Sequence, residues 1–286
     1  MPELPEVEVL VRHLAPSLKG KPIHEVRVHR ARILRPTSPS MFEKSLTQAV
    51  FQGLERRGKF LLFHLCHEST GESIRLLGHL GMTGRMYLQR LGEPLPKHAA
   101  VSFSLPEQRF VFEDTRYFGR LTLDTGAIER LGPEPLGNGF TMDYFSDALK
   151  QSSQPIKVKL LDQSLVAGLG NIYASESLFR ARISPRARSN KLCREPIGRL
   201  RKAIREVLRR AIQFGSTVPL DWSGANSRDR LFYYGQAPDA ASFYEERLLV
   251  YDRAGQPCRR CGSTIRRLVQ GARSTFYCPC CQPARG

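Results

Sequence analysis

Two short stretches at opposite ends of this 286-residue chain hold side chains whose types and spacing suit chemistry. Near the C-terminus, PCRRCG at 257–262 and YCPCCQ at 277–282 set Cys258, Cys261, Cys278 and Cys281 as two C-x2-C knuckles, sixteen residues apart. That spacing lets four thiolates surround one Zn2+ tetrahedrally. Four sulfur ligands leave no coordination position for water or substrate, so the expectation is a single structural zinc ion. Cys280 lies inside the second knuckle as a substitute ligand, but the two-residue spacing favours Cys278 with Cys281. Seven cysteines, an odd count, argue against a disulfide framework, and Cys66, Cys193 and Cys280 read as buried or incidental thiols.

At the other end the chain opens MPELPEVEVL. Removal of Met1 would make Pro2 a terminal secondary amine. Reference α-amino groups titrate at about 7.7–8.0, so a substantial part of such an amine is unprotonated near neutral pH. It can attack a sugar carbon and form an iminium ion, and Glu3 beside it can relay protons. The same residues also make a plain helix start, because proline is tolerated in the first turn and a carboxylate suits the positive end of the helix dipole. The stretch alone leaves both readings open.

The composition supplies a partner class. Against 27 Asp+Glu stand 44 Lys+Arg, a formal +17. Such a field attracts polyanions, nucleic acid first and an anionic membrane surface second, the plainer reading being solubilising charge. A 41% hydrophobic fraction excludes wholesale disorder. No apolar run nears the ~20 residues of a membrane span, and the opening is no signal peptide. A cytoplasmic, nucleoid-associated protein is expected, and a monomer, since no heptad appears.

The elements that must position these residues follow from periodicity. Val7, Val9, Leu10, Val11 and Leu14 fit one face of a helix ending near Gly20. Short β-type stretches follow, IHEVRV, KFLLFHL, SIRLLGHLG, AAVSFSL and RFVFEDT, as in a sandwich or barrel. LGPEPLGNG at 131–139 reads as a boundary. Helical patterns then run through TMDYFSDALK, IKVKLLD, NIYASESLFRA and EPIGRLRKAIREVLRRAIQF, the last with Lys202, Arg205 and Arg209 on a face read as solvated. Residues 215–242 read as a long loop, and a β-hairpin carrying the cysteines closes the chain.

MPELPEVE, HLGMTGR at 79–85, DTRYFG at 114–119, GLGNIYASESLF at 168–179 and the knuckles together resemble the bacterial formamidopyrimidine-DNA glycosylases, nearly end to end and in the family's order. The resemblance implies an α+β multidomain chain: an N-terminal β-sandwich with flanking helices (1–132), a helix–two-turn–helix domain (133–242) and a β-hairpin zinc finger (243–286). It implies damaged double-stranded DNA, bound in the cleft between them, as partner and no small-molecule cofactor. It implies a bifunctional enzyme that excises oxidised purines and cuts the strand by β,δ-elimination.

Site roles carried over from the resemblance are these. Pro2 matches the nucleophile, Glu3 the catalytic acid/base and Lys59 the lysine that holds a phosphate and assists the lyase steps. An enzyme acting on a base within a duplex must rotate the nucleotide out and fill the gap, and Met82, Arg116 and Phe118 match the gap-filling residues. Lys157, Asn171 and Arg273 match phosphate contacts, whereas an N-cap is the plainer reading of Asn171. Glu176 matches a carboxylate near the lesion site. GSTVPLDWSGANSRDRLFYYGQAPDAAS departs from the family: it is longer and lacks a lysine of the lesion-recognition loop, which puts the lesion preference in doubt. The competing expectations are the endonuclease VIII branch, with oxidised pyrimidines as substrates, and a non-catalytic DNA-binding relative. MPELPE and the Arg116–Phe118 pair favour the purine branch.

Overall fold

The first helix, α1 (Leu4–Leu18), starts on a reciprocal cap: the Glu3 side chain accepts a backbone N–H of the first turn, and Glu6 Oε2 accepts the Glu3 N–H at 2.8 Å. Both carboxylates are buried, so this capping box satisfies two helix-end donors where water cannot. Val7, Val9, Leu10, Val11 and Leu14 are buried as the periodicity predicts, and the helix stops at Lys19. The computed structural model describes residues 2–215 and 248–283. The loop expected at 215–242 lies outside the described residues apart from Gly215, which ends a helix.

Chain contacts separate two compact units, one reaching to Glu129 and the other beginning at Arg130. The first unit continues from α1 through β1 (Glu25–Val28), a 3-10 turn at Ala31–Leu34, α2 (Pro39–Leu46), β2 (Val50–Arg57) and β3 (Phe60–Cys66). It goes on with β4 (Ser73–His79), β5 (Gly84–Arg90), β6 (Ala99–Ser104), β7 (Gln108–Asp114), β8 (Arg120–Thr122) and the short α3 (Gly126–Glu129). Two four-stranded antiparallel sheets result, ordered β1-β6-β7-β5 and β2-β3-β4-β8. Their inner faces enclose a phenylalanine core: the Phe110 ring lies 5.5 Å from Phe103, 5.8 Å from Phe63 and 6.2 Å from Phe51, centroid to centroid. Truncating such a ring typically costs ~3–5 kcal/mol. Strands β2 and β5 go beyond the stretches the periodicity singled out. VFQGLERR carries a glycine, a register shift between Phe51 and Gly53 and a charged end, so its alternation is broken.

In the second unit, α4 (Met142–Lys150), α5 (Ile156–Lys159), α6 (Asn171–Ala181) and α7 (Arg194–Gly215) precede the hairpin β9 (Arg266–Gln270) and β10 (Arg273–Tyr277). Helix α7 buries Ile197, Leu200, Ile204 and Leu208. Its arginine face is only partly solvated: Lys202 and Arg209 are exposed, but Arg205 donates to the carbonyls of Leu136 and Gly137, and Arg201 to that of Phe140. These guanidinium groups satisfy the carbonyls of a Gly- and Pro-rich segment that has no ladder of its own. The hairpin turns through Gly271 and Ala272, both at positive φ, as two-residue type I′ loops require. The cysteines flank these strands on turns rather than riding on them, because a knuckle must bend to bring two sulfurs to one ion. Among the described residues no helix is long and apolar enough to cross a membrane.

Candidate functional site

Pro2 and Glu3 are buried at the head of α1, where the capping box holds the backbone of residue 3 and with it the adjoining imino nitrogen. One turn on, Glu8 accepts from Arg12 Nε and Arg56 Nε, each at 2.8 Å, and Arg56 also donates to the carbonyl of Gly58. Gly58 and Lys59 form the turn between β2 and β3, so this chain of bonds ties the helix that starts after Pro2 to the turn that carries Lys59. Burial works to raise the Glu8 pKa, but the hydrogen bonds and charges of Arg56 and Arg12 outweigh it and hold the group below its ordinary value. Lys59 is itself buried.

His79, which the motif HLGMTGR contains but the sequence reading passed over, lies across the sheet from Phe60, ring centroids 4.8 Å apart. Its Nδ1 accepts the Gly81 N–H at 3.1 Å. Burial, then the positive charges of Lys59 and Arg120, bring its pKa down to about 4, so the ring is neutral at physiological pH.

Met82, Arg116 and Phe118 come together on two interlocked loops and are exposed, Met82 by 46% and Phe118 by 47%. The Arg116 guanidinium sits 4.8 Å from the Phe118 ring centroid and donates to Met82 Sδ at 3.5 Å. Beneath them Asp114, fully buried, accepts from Thr83 Oγ1 (2.6 Å), the Arg116 N–H (3.2 Å) and the Gly119 N–H (2.8 Å). Gly81 has φ 62°, and a Cβ there would meet Gly119 N at 2.6 Å; a Cβ on Gly119 would meet the Phe112 ring at 2.5 Å. Only glycines let the two backbones close this far. Asp114 was visible as an Asx turn in DTRYFG, a carboxylate two residues ahead of an amide it can accept.

In the second unit Gly170, not Asn171, caps α6. The Asn171 side chain accepts from the Lys157 ammonium and donates to the Ser274 carbonyl of β10 at 2.8 Å, so it clamps helix to finger. Lys157 is fully buried, its ammonium against the Asn171 side chain. Arg273 is exposed beside the hairpin turn. Glu176 is buried and occupied: Oε2 accepts the Leu249 N–H at 2.9 Å, and Oε1 those of Val250 (2.9 Å) and Tyr251 (2.8 Å). Burial raises its pKa, against the lowering by those amides and by Arg253.

The Sγ atoms of Cys258, Cys261, Cys278 and Cys281 all lie within 4.8 Å of one another, with Cys258···Cys281 at 3.9 Å and Cys261···Cys278 at 3.5 Å. A thiolate tetrahedron with Zn–S near 2.3 Å has edges of ~3.8 Å. The Arg260 N–H points to Cys258 Sγ (3.5 Å) and the Cys281 N–H to Cys278 Sγ (3.4 Å), donors suited to anionic sulfur. The donor set fits one structural Zn2+, and Cys280 is exposed and outside it.

Family models cover most of the chain in three segments: the formamidopyrimidine-DNA glycosylase N-terminal domain at 1–121, the H2TH domain of that enzyme at 131–220 and a zinc finger found in FPG and IleRS at 255–284. The formamidopyrimidine-DNA glycosylase of Bacillus licheniformis is 38% identical over 291 aligned positions, covering 99% of each chain. The Lactococcus lactis enzyme bound non-covalently to DNA with an abasic site superposes with a TM-score of 0.83 at 32% identity, over 98% of this chain and 99% of that one. Its complex with DNA containing N7-benzyl-Fapy-dG gives 0.84 at 33%, over 99% and 100%. By its three domains, its full-length relatives and its fold, the chain belongs to the formamidopyrimidine-DNA glycosylase family, enzymes of DNA base-excision repair.

Proposed function

We propose that the protein excises oxidised purines, 8-oxoguanine and formamidopyrimidines, from duplex DNA and then cuts the strand by β,δ-elimination. With Met1 removed, the Pro2 nitrogen attacks C1′ as the glycosidic C–N bond breaks, and the N–H proton that it sheds goes to the departing base. Glu3 gives a proton to the sugar ring oxygen as the ring opens, leaving an iminium ion. A secondary amine makes this linkage a cation, which acidifies the C2′ proton. Loss of that proton expels the 3′ phosphate, a second elimination expels the 5′ phosphate, and water hydrolyses the linkage to free Pro2. Lys59 holds the phosphate flanking the lesion. Asn171, oriented by buried Lys157, and Arg273 hold further phosphates. Met82, Arg116 and Phe118 fill the gap left by the rotated nucleotide. The zinc ion, when bound, shapes the finger that carries Arg273 and takes no part in the chemistry.

The observation that carries this reading is that helix α1, whose capping box buries Pro2 and Glu3 at its head, is tied through Glu8 and Arg56 to Gly58 in the turn that carries Lys59. A plain helix start has no need of that link. The test is Pro2→Gly on a duplex with 8-oxoguanine opposite cytosine. Base release and strand cutting should fall together by at least a hundredfold, the usual scale for loss of a nucleophile. Normal nicking by that variant contradicts the assignment, and cutting confined to oxidised-pyrimidine duplexes moves the substrate to the other branch.

A further inference from the structure

Tyr117 lies between Arg116 and Phe118 in the chain, and its side chain turns the other way. It has φ 53°, a left-handed conformation that is costly for a residue with a ring. The ring packs on the core of the first unit. Its hydroxyl accepts from Arg30 Nε at 3.2 Å and lies 3.5 Å from His98 Nδ1, and the Arg30 guanidinium stands 5.6 Å from the ring centroid. Arg30 is fixed in turn, because its own N–H and that of His29 both donate to the Ala100 carbonyl of β6. His98 is fixed too: its carbonyl accepts the Asp114 N–H.

The geometry points to Tyr117 as a positioning residue for Arg116 and Phe118, with Arg30 as its partner, and so as a determinant of which base opposite a lesion is accepted. A left-handed residue between two outward side chains sets their mutual orientation, here the stacked pair 4.8 Å apart. Asp114 holds the ends of the loop, at the amides of Arg116 and Gly119, and Tyr117 holds its middle. Loss of the Arg30 bond leaves the fold intact but lets the middle of the loop rotate. The inference rests on the gap-filling role proposed above for Arg116 and Phe118.

The test compares Tyr117→Phe and Arg30→Met, singly and together, on two substrates. The first is a duplex with 8-oxoguanine opposite cytosine or adenine. The second is a single strand carrying a preformed abasic site, which has no opposite base and no gap to fill. Each single variant should lower kcat/KM on the cytosine duplex by about fivefold to tenfold, the scale of one charge-assisted hydrogen bond. The cytosine-to-adenine preference should shrink with it, and the two substitutions should combine less than additively, since both remove the Arg30–Tyr117 hydrogen bond. Borohydride trapping on the abasic single strand should stay at the level of the unsubstituted protein, as should Tm. An unchanged preference, additive effects or an equal loss on the single strand overturns the inference. Failure of the unsubstituted protein to trap removes the parent reading, and this inference with it.

Discussion

The tip of the first unit and the finger of the second solve one problem with different means. In each, a buried carboxylate accepts from a short irregular segment, residues 116–119 at the tip and 249–251 at the finger. Asp114 takes two donors on Oδ1 and one on Oδ2, Glu176 two on Oε1 and one on Oε2. The difference lies in what stands behind the carboxylate. The tip rests on the large core between two sheets, whereas the finger has a small apolar cluster of Phe179, Val250, Cys258, Ile265, Phe276 and Cys278. So small a core cannot offset its own ordering entropy, and four thiolates closing on a metal supply the rest.

Removing the metal should separate the two most sharply. Zinc binding is worth ~10–16 kcal/mol to comparable small modules, so chelation or Cys278→Ser should unfold the finger and weaken DNA binding at least a hundredfold. The first unit should keep its Tm, as read by calorimetry with zinc measured in the same sample. Full zinc content in Cys278→Ser would refute the ligand set.

Substitution of the two buried carboxylates has the next largest effect. Asp114→Asn and Glu176→Gln each turn one acceptor oxygen into an NH2 facing an N–H, a cost of ~1–3 kcal/mol. With no metal to hold the tip, Asp114→Asn should speed exchange of the Arg116 and Gly119 amides and lower lesion cutting. Glu176→Gln should free the Leu249–Tyr251 amides while the zinc-bound finger stays closed. Equal effects on cutting would mean that the metal does not compensate.

The smallest effect is on pH. The folded His79 pKa of about 4 lies below its ordinary value of 6.5, so between those limits the unfolded chain takes up a proton that the folded chain does not. Its neutral burial costs nothing above pH 6.5, and stability is lost progressively as pH falls from 6.5 to 4. The loss is at most ~3 kcal/mol, less for a ring that solvent partly reaches. His79→Gln should flatten this part of the urea-midpoint profile, and an unchanged slope would show that another group titrates there.

Much of this was legible in the chain because it is local. Knuckle spacing names the zinc ligands without a fold, and the 3.6-residue pattern of α1 needs only Val7 to Leu14. What escaped depends on partners far along the chain. Asn171 looks like an N-cap until Ser274 is brought to it, and Glu176 reads as a site carboxylate until residues 249–251 claim its oxygens. Lys157 reads as a phosphate contact although its ammonium is buried against Asn171. Tyr117 is an unremarked letter of DTRYFG until Arg30 and His98 close on its hydroxyl.

The proposed chemistry turns on Pro2 as the nucleophile. Sodium borohydride reduction of the protein on a duplex carrying 8-oxoguanine opposite cytosine, with the adduct mapped by mass spectrometry, tests it most directly, because only an iminium linkage is reduced to a stable bond. One covalent adduct is expected, on the Pro2 nitrogen of chains that have lost Met1. An adduct on a lysine such as Lys59, or none on lesion and abasic duplexes alike, would contradict it.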